Sequence, residues 1–396
     1  MIDVKQLMRS LSQEELIAAA EAYYQSMVDP AFQLAKPFSG IDDCPSLLAS
    51  FSKLLRDGQY LPGHRVLEFG AGSCWAGRLL NQLGMEVTSL DVSPSALALG
   101  ERLVRDQPAI GRHSPHAFVR YDGVRMALPD RSFDRIFCFY AFHHVANPEQ
   151  TLKEFARVLD DGGIASLSET GPHHSMSFES QREMRDHKVI ENDIVIEELW
   201  EAAQATGFTD IRFSLQTETA LQLGYEEYRA FRAQGFGDEV AATLKEKVLA
   251  HNRNVTLFHL VRGEPSRPDS RTRDGLVADV HAERLGALLG ADGRQRIRLS
   301  VTIRNISGRV WRRSGWQAGC VNVGVRRLDE DGQLVDLDYF RHRFLEWDLA
   351  PGGAVVTTFD LPLPAGIHRT QFELDLVSEG VCWFSQNGSR IERLVP

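Results

Sequence analysis

The stretch Arg65-Val-Leu-Glu-Phe-Gly-Ala-Gly-Ser-Cys-Trp-Ala-Gly77 decides how the first part of the chain folds. Its apolar beginning predicts a buried strand, and Gly70 and Gly72 predict a tight turn into the first turn of a helix. Glycine suits such a turn because it adopts positive φ and lets a ligand reach bare backbone. The N-terminus of the following helix offers free N–H groups to a polar ligand. The stretch therefore predicts a ligand site where the strand ends.

An acidic residue follows the next predicted strand, at the distance from the glycines that is typical of a nucleoside-binding unit. Residues 85–90 predict a second strand, and Asp91 stands at its carboxyl end. In a βαβ unit, an acid about 20 residues beyond the glycines reaches the ribose hydroxyls of a bound nucleoside. A dinucleotide also needs a third small residue near its pyrophosphate, but that position holds Cys74. The pattern favours a nucleoside ligand without phosphates over NAD.

The ordered motifs of residues 60–170 resemble those of class I S-adenosylmethionine-dependent methyltransferases of type 11, and with its flanks the resemblance covers residues 40–262. The blocks that carry it are Glu68-x-Gly70-x-Gly72, Asp91, Asp122 to Pro129, Ser132 to Asp134, Ala141 to Val145, Leu152 to Glu154 and Arg157 to Gly163. The resemblance implies an enzyme that uses S-adenosyl-L-methionine.

The resemblance also implies a set of cofactor-binding residues, which are Glu68, Gly70, Ala71, Gly72, Asp91, Val92, Asp122, Gly123 and Tyr140. Glu68 and the glycines would line the methionine end of the cofactor, and Asp91 would hold the ribose hydroxyls. Asp122 would accept a hydrogen bond from the adenine amino group. The alternative for Asp122 is a cap of its own loop.

Strands and helices alternate through this region, which predicts an α/β fold with a doubly wound, Rossmann-like sheet of seven strands. We place the boundaries at 1–40 for an N-terminal helical cap, 41–262 for the methyltransferase domain, 263–275 for a linker and 276–396 for a second domain. The cap is either a helix packed on the domain or a lid whose Tyr23 or Tyr24 touches the ligand. A helical insertion at about 219–250 is either a substrate-side element or an oligomer contact.

Residues 276–396 carry short alternating strands and regularly spaced turns, which predict an all-β, immunoglobulin-like sandwich. The region resembles sandwich modules appended to bacterial enzymes of surface-polysaccharide assembly. We expect Trp383 in its core, whereas Trp311 and Trp316 belong either to the core or to a surface that stacks on sugar rings.

Histidines follow the fourth and fifth predicted strands, so their carboxyl-end positions place them near a bound ligand. Methylation of a hydroxyl benefits from a base, most often histidine. We predict His174 as this base, with His173 and His144 as the next candidates, although His144 could simply bond to backbone. The two histidine pairs with Glu169 could instead bind a divalent metal, but adjacent residues point apart and we expect no metal ion.

Composition excludes several classes of protein. The formal net charge of -10 speaks against a nucleic-acid partner, which needs a basic face. No apolar run is long enough to span a membrane, and the first residues do not have the layout of a signal peptide. The five scattered cysteines predict reduced thiols in a cytoplasmic protein, with a homo-oligomer possible.

These observations predict a methyltransferase that acts on a sugar hydroxyl of a glycan or nucleotide-linked sugar in polysaccharide biosynthesis. Two alternatives stay open. One is methylation of a small natural product, and the other is a glycan-binding or scaffold protein whose cofactor domain has lost turnover.

Overall fold

The structure, a computed structural model, describes residues 1–108, 114–216, 222–264, 269–290, 292–364 and 370–395. It contains two compact units, Met1–Ser266 and Arg267–Pro396. The first three residues of the predicted insertion, 219–221, lie outside the described residues. Among the described residues, no helix combines the length and the apolar composition that crossing a membrane requires.

The first unit is built on one sheet, with strands β1 Arg65–Phe69, β2 Glu86–Asp91, β3 His116–Arg120, β4 Phe133–Phe139, β5 Leu159–Thr170, β6 Phe208–Phe213 and β7 Val255–Arg262. Their order in the sheet is β3-β2-β1-β4-β5-β7-β6. The first five strands in this order, β3, β2, β1, β4 and β5, are parallel to one another. Strand β7 runs antiparallel to both of its neighbours, β5 and β6. The predicted doubly wound α/β sheet of seven strands is confirmed.

The chain order reverses between β1 and β4, because β2 and β3 lie on one side of β1 and the later strands on the other. Ligands of open α/β sheets bind in the crevice beyond the carboxyl ends of the strands at such a reversal. β1 and β4 are apolar and buried, as expected for strands that are covered by helices on both faces.

The helices of this unit are α1 Val4–Ser10, α2 Gln13–Gln25, α3 Ala31–Leu34, α4 Cys44–Asp57, α5 Trp75–Gln82, α6 Pro94–Asp106, α7 Pro148–Val158, α8 Phe178–His187, α9 Ile196–Thr206, α10 Tyr225–Gln234 and α11 Asp238–Asn254. A capping box is present at the start of α2, where Ser12 and Glu15 cap one another. Because this box begins a new helix after the extended Leu11, the N-terminal segment forms two helices rather than one.

The second unit contains two antiparallel sheets, built from β8 Ala278–Leu289, β9 Gln295–Asn305, β10 Val321–Leu328, β11 Leu334–His342, β12 Ala354–Pro362, β13 Gln371–Ser378, β14 Cys382–Trp383 and β15 Glu392–Leu394. One sheet has the order β11-β10-β13-β14, with β15 also paired to β13, and the other has the order β12-β9-β8. Alternate side chains of both sheets share one apolar core. The predicted all-β region is therefore confirmed.

The predicted linker is too long. Asp269 pairs with Val310, and the Ser270 side chain is fully buried and donates to the Gly319 carbonyl at 2.6 Å. Residues 269–275 therefore belong to the second unit, because internal hydrogen bonds offset their polar composition. Residues 265–268 of the predicted linker lie outside the described residues.

The structure places two tryptophans of the second unit, and one of them, Trp383, differs from our expectation. Trp311, which the sequence left open, is fully buried and donates its Nε1–H to the Ser307 hydroxyl. Trp383, expected in the core, is only partly buried and lies between the guanidinium groups of Arg326 and Arg341. Cations over the face of an indole ring are attracted by its π electrons, which accounts for this position outside the apolar core.

Candidate functional site

A cavity of about 420 Å³ lies at the carboxyl ends of β1, β2 and β4 in the first unit. Its floor comprises residues of the strand ends and the loops after them, namely Phe69, Gly70, Leu90, Asp91, Val92, Tyr121, Gly123, Tyr140 and Ala141. Its volume falls in the range of small-molecule and cofactor sites. The cavity is therefore where the chain order of the sheet predicts a ligand.

The glycine turn brings backbone to the cavity. Gly70 has a φ of +64°, and a Cβ placed on it would lie 2.3 Å from the Cβ of Ala141. Cys74, in place of the third glycine, adopts a φ of 57°, and its buried thiol fills the space beside Gly100 of α6. The turn thus keeps its shape with a cysteine, because the side chain packs inward between α5 and α6.

Asp91 is held rigidly at the edge of the cavity. Its two carboxylate oxygens accept hydrogen bonds from the Gly72 N–H at 2.8 Å and the Ser93 N–H at 2.9 Å. Burial raises the pKa of its carboxyl, against the effect of these backbone donors. Because only 9% of its surface is exposed, the remaining lone pairs can reach only the cavity side. Val92 beside it also lines the cavity.

Glu68 is not among the residues that line the cavity, so the structure does not bring it to the place where we predicted the methionine end of the ligand. Its carboxylate lies beneath the turn, where it accepts the Gly77 N–H at 2.7 Å and the Ser89 hydroxyl at 2.5 Å. A Cβ on Gly77 would come within 2.2 Å of this carboxylate, so the helix approaches closely only because position 77 is glycine. Glu68 therefore ties α5 to β1 and β2.

Burial raises the pKa of Glu68 to about 7, well above its value in an unfolded chain. The stability that this group provides when protonated is therefore fully present below about pH 4.5 and is lost as the pH rises through about 7. Glu68→Gln, which is neutral at every pH, should gain stability relative to the parent between about pH 5 and 8, by up to about 3 kcal/mol. Urea unfolding of the parent and of Glu68→Gln, each at about pH 5 and about pH 8, measures this difference in the free energy of unfolding.

The control for this prediction is Glu86→Gln, since Glu86 begins β2 and is exposed. A difference between parent and Glu68→Gln that stays constant with pH would show that the Glu68 carboxylate is charged in the folded protein.

The other proposed cofactor residues divide into two groups. Gly123 and Tyr140 line the cavity, whereas Ala71 and Gly72 do not. Ala71 is buried against Cys74, and Gly72 acts through the N–H that it donates to Asp91. These two residues shape the turn and hold Asp91 in place.

Asp122 has the alternative role that the sequence allowed. Its Oδ1 accepts the N–H groups of Val124 at 2.8 Å and Arg125 at 2.6 Å, and it does not line the cavity. The Gln13 side chain of α2 occupies the space above neighbouring Gly123, 2.0 Å from where a Cβ would stand. The carboxylate of Asp122 therefore caps its own turn in this structure.

Helix α2 covers the cavity. Six of its residues line the wall, namely Gln13, Leu16, Ile17, Ala20, Tyr23 and Tyr24. Glu21 fixes the helix to the start of α6, because its carboxylate accepts the Ser93 hydroxyl at 2.6 Å and both the hydroxyl and the N–H of Ser95. Both tyrosines that we considered as ligand contacts thus lie on the cavity wall, together with Gln13, which we did not predict.

The four histidines occupy different positions. His144 lines the cavity, and its Nδ1 donates to the Ile190 carbonyl at 2.6 Å, which leaves Nε2 as an acceptor. His174, our first candidate for a base, does not line it, and its Nε2 lies 2.6 Å from Glu191. His173 is exposed. The geometry therefore favours His144 over His174 and His173 as the candidate base.

Behind His144 lies a buried cluster that joins His143, His174 and Glu169, which the sequence analysis had grouped, with Glu191, which it had not. His143 Nδ1 lies 2.7 Å from Glu169, and this bond raises the pKa of His143 although burial opposes it. The Glu169 carboxylate also accepts the N–H groups of Ala141 and Phe142, so it holds the whole turn after β4. Glu191, which lines the cavity, approaches both His143 and His174. Glu191 stands in an irregular segment without any periodic pattern, so sequence analysis gave no signal for it.

Comparison with known proteins shows which family shares these features. A family model described as a methyltransferase domain matches residues 67–167, which span the glycine turn, Asp91 and the histidine-bearing turn. The chain carries an S-adenosylmethionine-dependent methyltransferase domain. The resemblance that the motifs indicated is thereby confirmed, and so is the cofactor that it implied.

The curated relatives match mainly this domain. A demethylmenaquinone methyltransferase of Renibacterium salmoninarum is 28% identical over 109 residues, which are 28% of this chain and 42% of the relative. An uncharacterized methyltransferase of Geobacillus thermodenitrificans is 26% identical over 206 residues, covering 50% of this chain and 77% of the relative. The chain thus spans about two fifths of the first of these relatives.

Solved structures of methyltransferases also align with the chain. An S-adenosylmethionine-dependent methyltransferase from Mesorhizobium loti is 19% identical, with a TM-score of 0.40, over 56% of this chain and 100% of its own. A complex of the Haloferax volcanii Trm112 activator with its methyltransferase gives 20% identity and a TM-score of 0.41, over 63% of this chain and 98% of that chain.

Proposed function

We propose that this chain transfers the methyl group of S-adenosylmethionine to a sugar hydroxyl of a glycan or nucleotide-linked sugar. The observation that carries the transfer is the placement of the Gly70 turn, Asp91, Gly123 and Tyr140 around one cavity at the carboxyl ends of the strands. Asp91 would hold the ribose hydroxyls, because its carboxylate is fixed by two backbone donors and keeps lone pairs on the cavity side. The cofactor, when bound, supplies a methyl carbon that its sulfonium has already activated.

The protein's task in such a reaction is to align the acceptor, since a well-oriented pair of reactants gains up to about 10 kcal/mol from positioning. We propose that His144 acts as the base and accepts the proton of the acceptor hydroxyl. Its Nδ1–H is bound to the Ile190 carbonyl, so its Nε2 accepts. His174 would act through Glu191 rather than on the acceptor, and the exposed His173 would have no part.

Two observations support a sugar as the acceptor. Glu183, Glu191 and His144 make one end of the cavity polar, which suits a compound with several hydroxyls. In the second unit, the side chains of Trp316 and Trp347 are 66% and 77% exposed, and indole rings stack on the apolar faces of sugars. The second unit would then retain the glycan that the first unit methylates.

A small-molecule acceptor is the second candidate. The observation that favours it is the set of relatives, which includes demethylmenaquinone methyltransferases and a malonyl-[acyl-carrier protein] O-methyltransferase of Serratia marcescens. In that case the second unit would serve another purpose, such as a contact between two copies of the chain.

The test incubates the full chain and S-adenosylmethionine with panels of nucleotide-linked sugars, oligosaccharides, phenols and hydroxy acids, and measures S-adenosylhomocysteine and the methylated product by mass spectrometry. We expect sugar products, and we expect His144→Ala to lower kcat by at least about 100-fold while S-adenosylhomocysteine affinity is retained. His173→Ala is the matched control and should keep the parental rate. Products from phenols or hydroxy acids alone would establish the second candidate. Cofactor binding without turnover of any acceptor would favour a scaffold.

A further inference from the structure

Three side chains from separate segments converge behind the wall of the cavity. His143 lies in the turn after β4, His174 begins the turn after β5, and Glu191 follows α8. One ligand atom from each of them lies within 4.8 Å of the other two. The Nε2 atoms of His174 and His143 are 2.6 Å and 3.8 Å from Oε2 of Glu191. Two imidazoles and one carboxylate are the donor set of many catalytic zinc sites.

The hydrogen-bond pattern leaves one of these contacts unexplained. Because Nδ1 of neutral His143 donates to Glu169, its Nε2 carries a lone pair. That lone pair faces the Glu191 carboxylate, which is also an acceptor, at 3.8 Å. Two acceptors that face each other in a buried place are unfavourable, and a positive charge between them would remove this cost. Either a second proton on His143 or a metal cation supplies that charge.

Several features favour the metal. Glu169, which is fully buried, orients His143 through Nδ1, and metal-bound histidines almost always have such a partner. Glu169 and Glu191 are both buried carboxylates, and their described ion-pair partners are histidines. A divalent cation would balance both charges, whereas one imidazolium balances only one of them.

The framework around the three side chains is also fixed in advance. The Asn192 N–H donates to the His143 carbonyl at 3.0 Å, which holds the Glu191 segment to the turn after β4. Ser175 donates both its N–H and its hydroxyl to Asp193, which holds the same segment to the turn after β5. The segments that carry the three ligands are thus held together by hydrogen bonds outside the proposed site, in addition to the direct contact of His174 with Glu191.

We propose that His143, His174 and Glu191 form a binding site for a divalent transition metal of the zinc type, with Glu169 as the residue that orients His143. In the bound form, His174 carries its hydrogen on Nδ1 and presents Nε2 to the ion. Because Glu191 also lines the cavity, the ion lies beside the acceptor end, with its fourth position available there. This position would let the ion polarise an acceptor hydroxyl. That role rests on the proposed function, but the binding of the ion does not.

The experiment measures metal binding without any methyl transfer. Full-length protein without a histidine tag is treated with a chelator and titrated calorimetrically with zinc chloride, and cobalt chloride provides a visible absorption spectrum of the same site. We expect one equivalent of zinc and an intense cobalt spectrum typical of a tetrahedral site. Glu169→Gln should weaken zinc binding by about 10- to 100-fold, and His174→Ala and Glu191→Gln should weaken it further.

His173→Ala is the matched control, because His173 adjoins His174 but is exposed. It should bind zinc as the parent does. Retained S-adenosylhomocysteine affinity in each variant shows that the cavity is still folded. The absence of saturable zinc binding to the parent would overturn the proposal and favour an imidazolium at His143. Binding that His174→Ala and Glu191→Gln leave unchanged would overturn it as well.

Discussion

Asp91→Ala should lower the affinity for S-adenosylhomocysteine by about 100-fold or more. The change removes the two charge-assisted hydrogen bonds that we propose between this carboxylate and the ribose, which together would be worth at least about 3 kcal/mol. It also leaves the N–H groups of Gly72 and Ser93 without their acceptor, so the turn loses its fixed shape. Isothermal titration of the parent and the variant measures the effect.

Two further variants make this result specific. Asp91→Asn keeps an oxygen acceptor but loses the charge, so its affinity should lie between those of the parent and Asp91→Ala. Asp106→Ala removes an exposed acid at the end of α6 and should bind as the parent does. Parental affinity in Asp91→Ala would contradict the assignment of this carboxylate to the ribose.

Gly70→Ala should destabilise the first unit by about 3 kcal/mol. The left-handed backbone costs an alanine about 1 kcal/mol, and the added methyl group must displace Ala141 from a contact of 2.3 Å, which costs about 1–3 kcal/mol. The displacement also moves the turn after β4, so cofactor affinity should fall with stability. Urea unfolding and isothermal titration measure the two effects.

Gly63→Ala separates the two causes of the loss. Gly63 also has a positive φ, of +78°, but a Cβ there meets nothing within 4 Å. We therefore expect a loss of only about 1 kcal/mol and unchanged cofactor affinity. Equal losses in the two variants would show that backbone conformation alone, and not the contact with Ala141, requires glycine at position 70.

The sequence predicted those parts of the site that depend on local order. The turn at Gly70 and the acid at Asp91 each stand at a strand end, so their spacing along the chain was enough to bring them together. Glu68 lies away from the cavity because neighbouring side chains of a strand point in opposite directions, and Phe69 is the one that lines the cavity. Glu191 and Ile190 reach the cavity through tertiary contacts of an irregular segment, which no local pattern encodes.

Strand β8 shows the same limit in the second unit. Its second half, from Glu283 to Leu289, has no β-branched or aromatic residue and contains Glu283, Gly286 and Ala287, which do not favour strands. It forms a strand because it pairs with β9 along its whole length. Most of this half is exposed, so it has no alternating apolar pattern for sequence analysis to detect. By contrast, β9 alternates buried and more exposed residues along its length, which is the pattern that sequence analysis detects.

The position of α2 has a consequence for the pace of turnover. In the function that we propose, S-adenosylhomocysteine would lie beneath this helix, and we expect it to leave after the contacts of Glu21 with Ser93 and Ser95 have broken. The same two serines flank the beginning of α6, directly after Asp91, so departure of the product and loosening of its ribose contact are parts of one motion. We therefore expect the opening of this helix, rather than the transfer of the methyl group, to limit the rate of turnover.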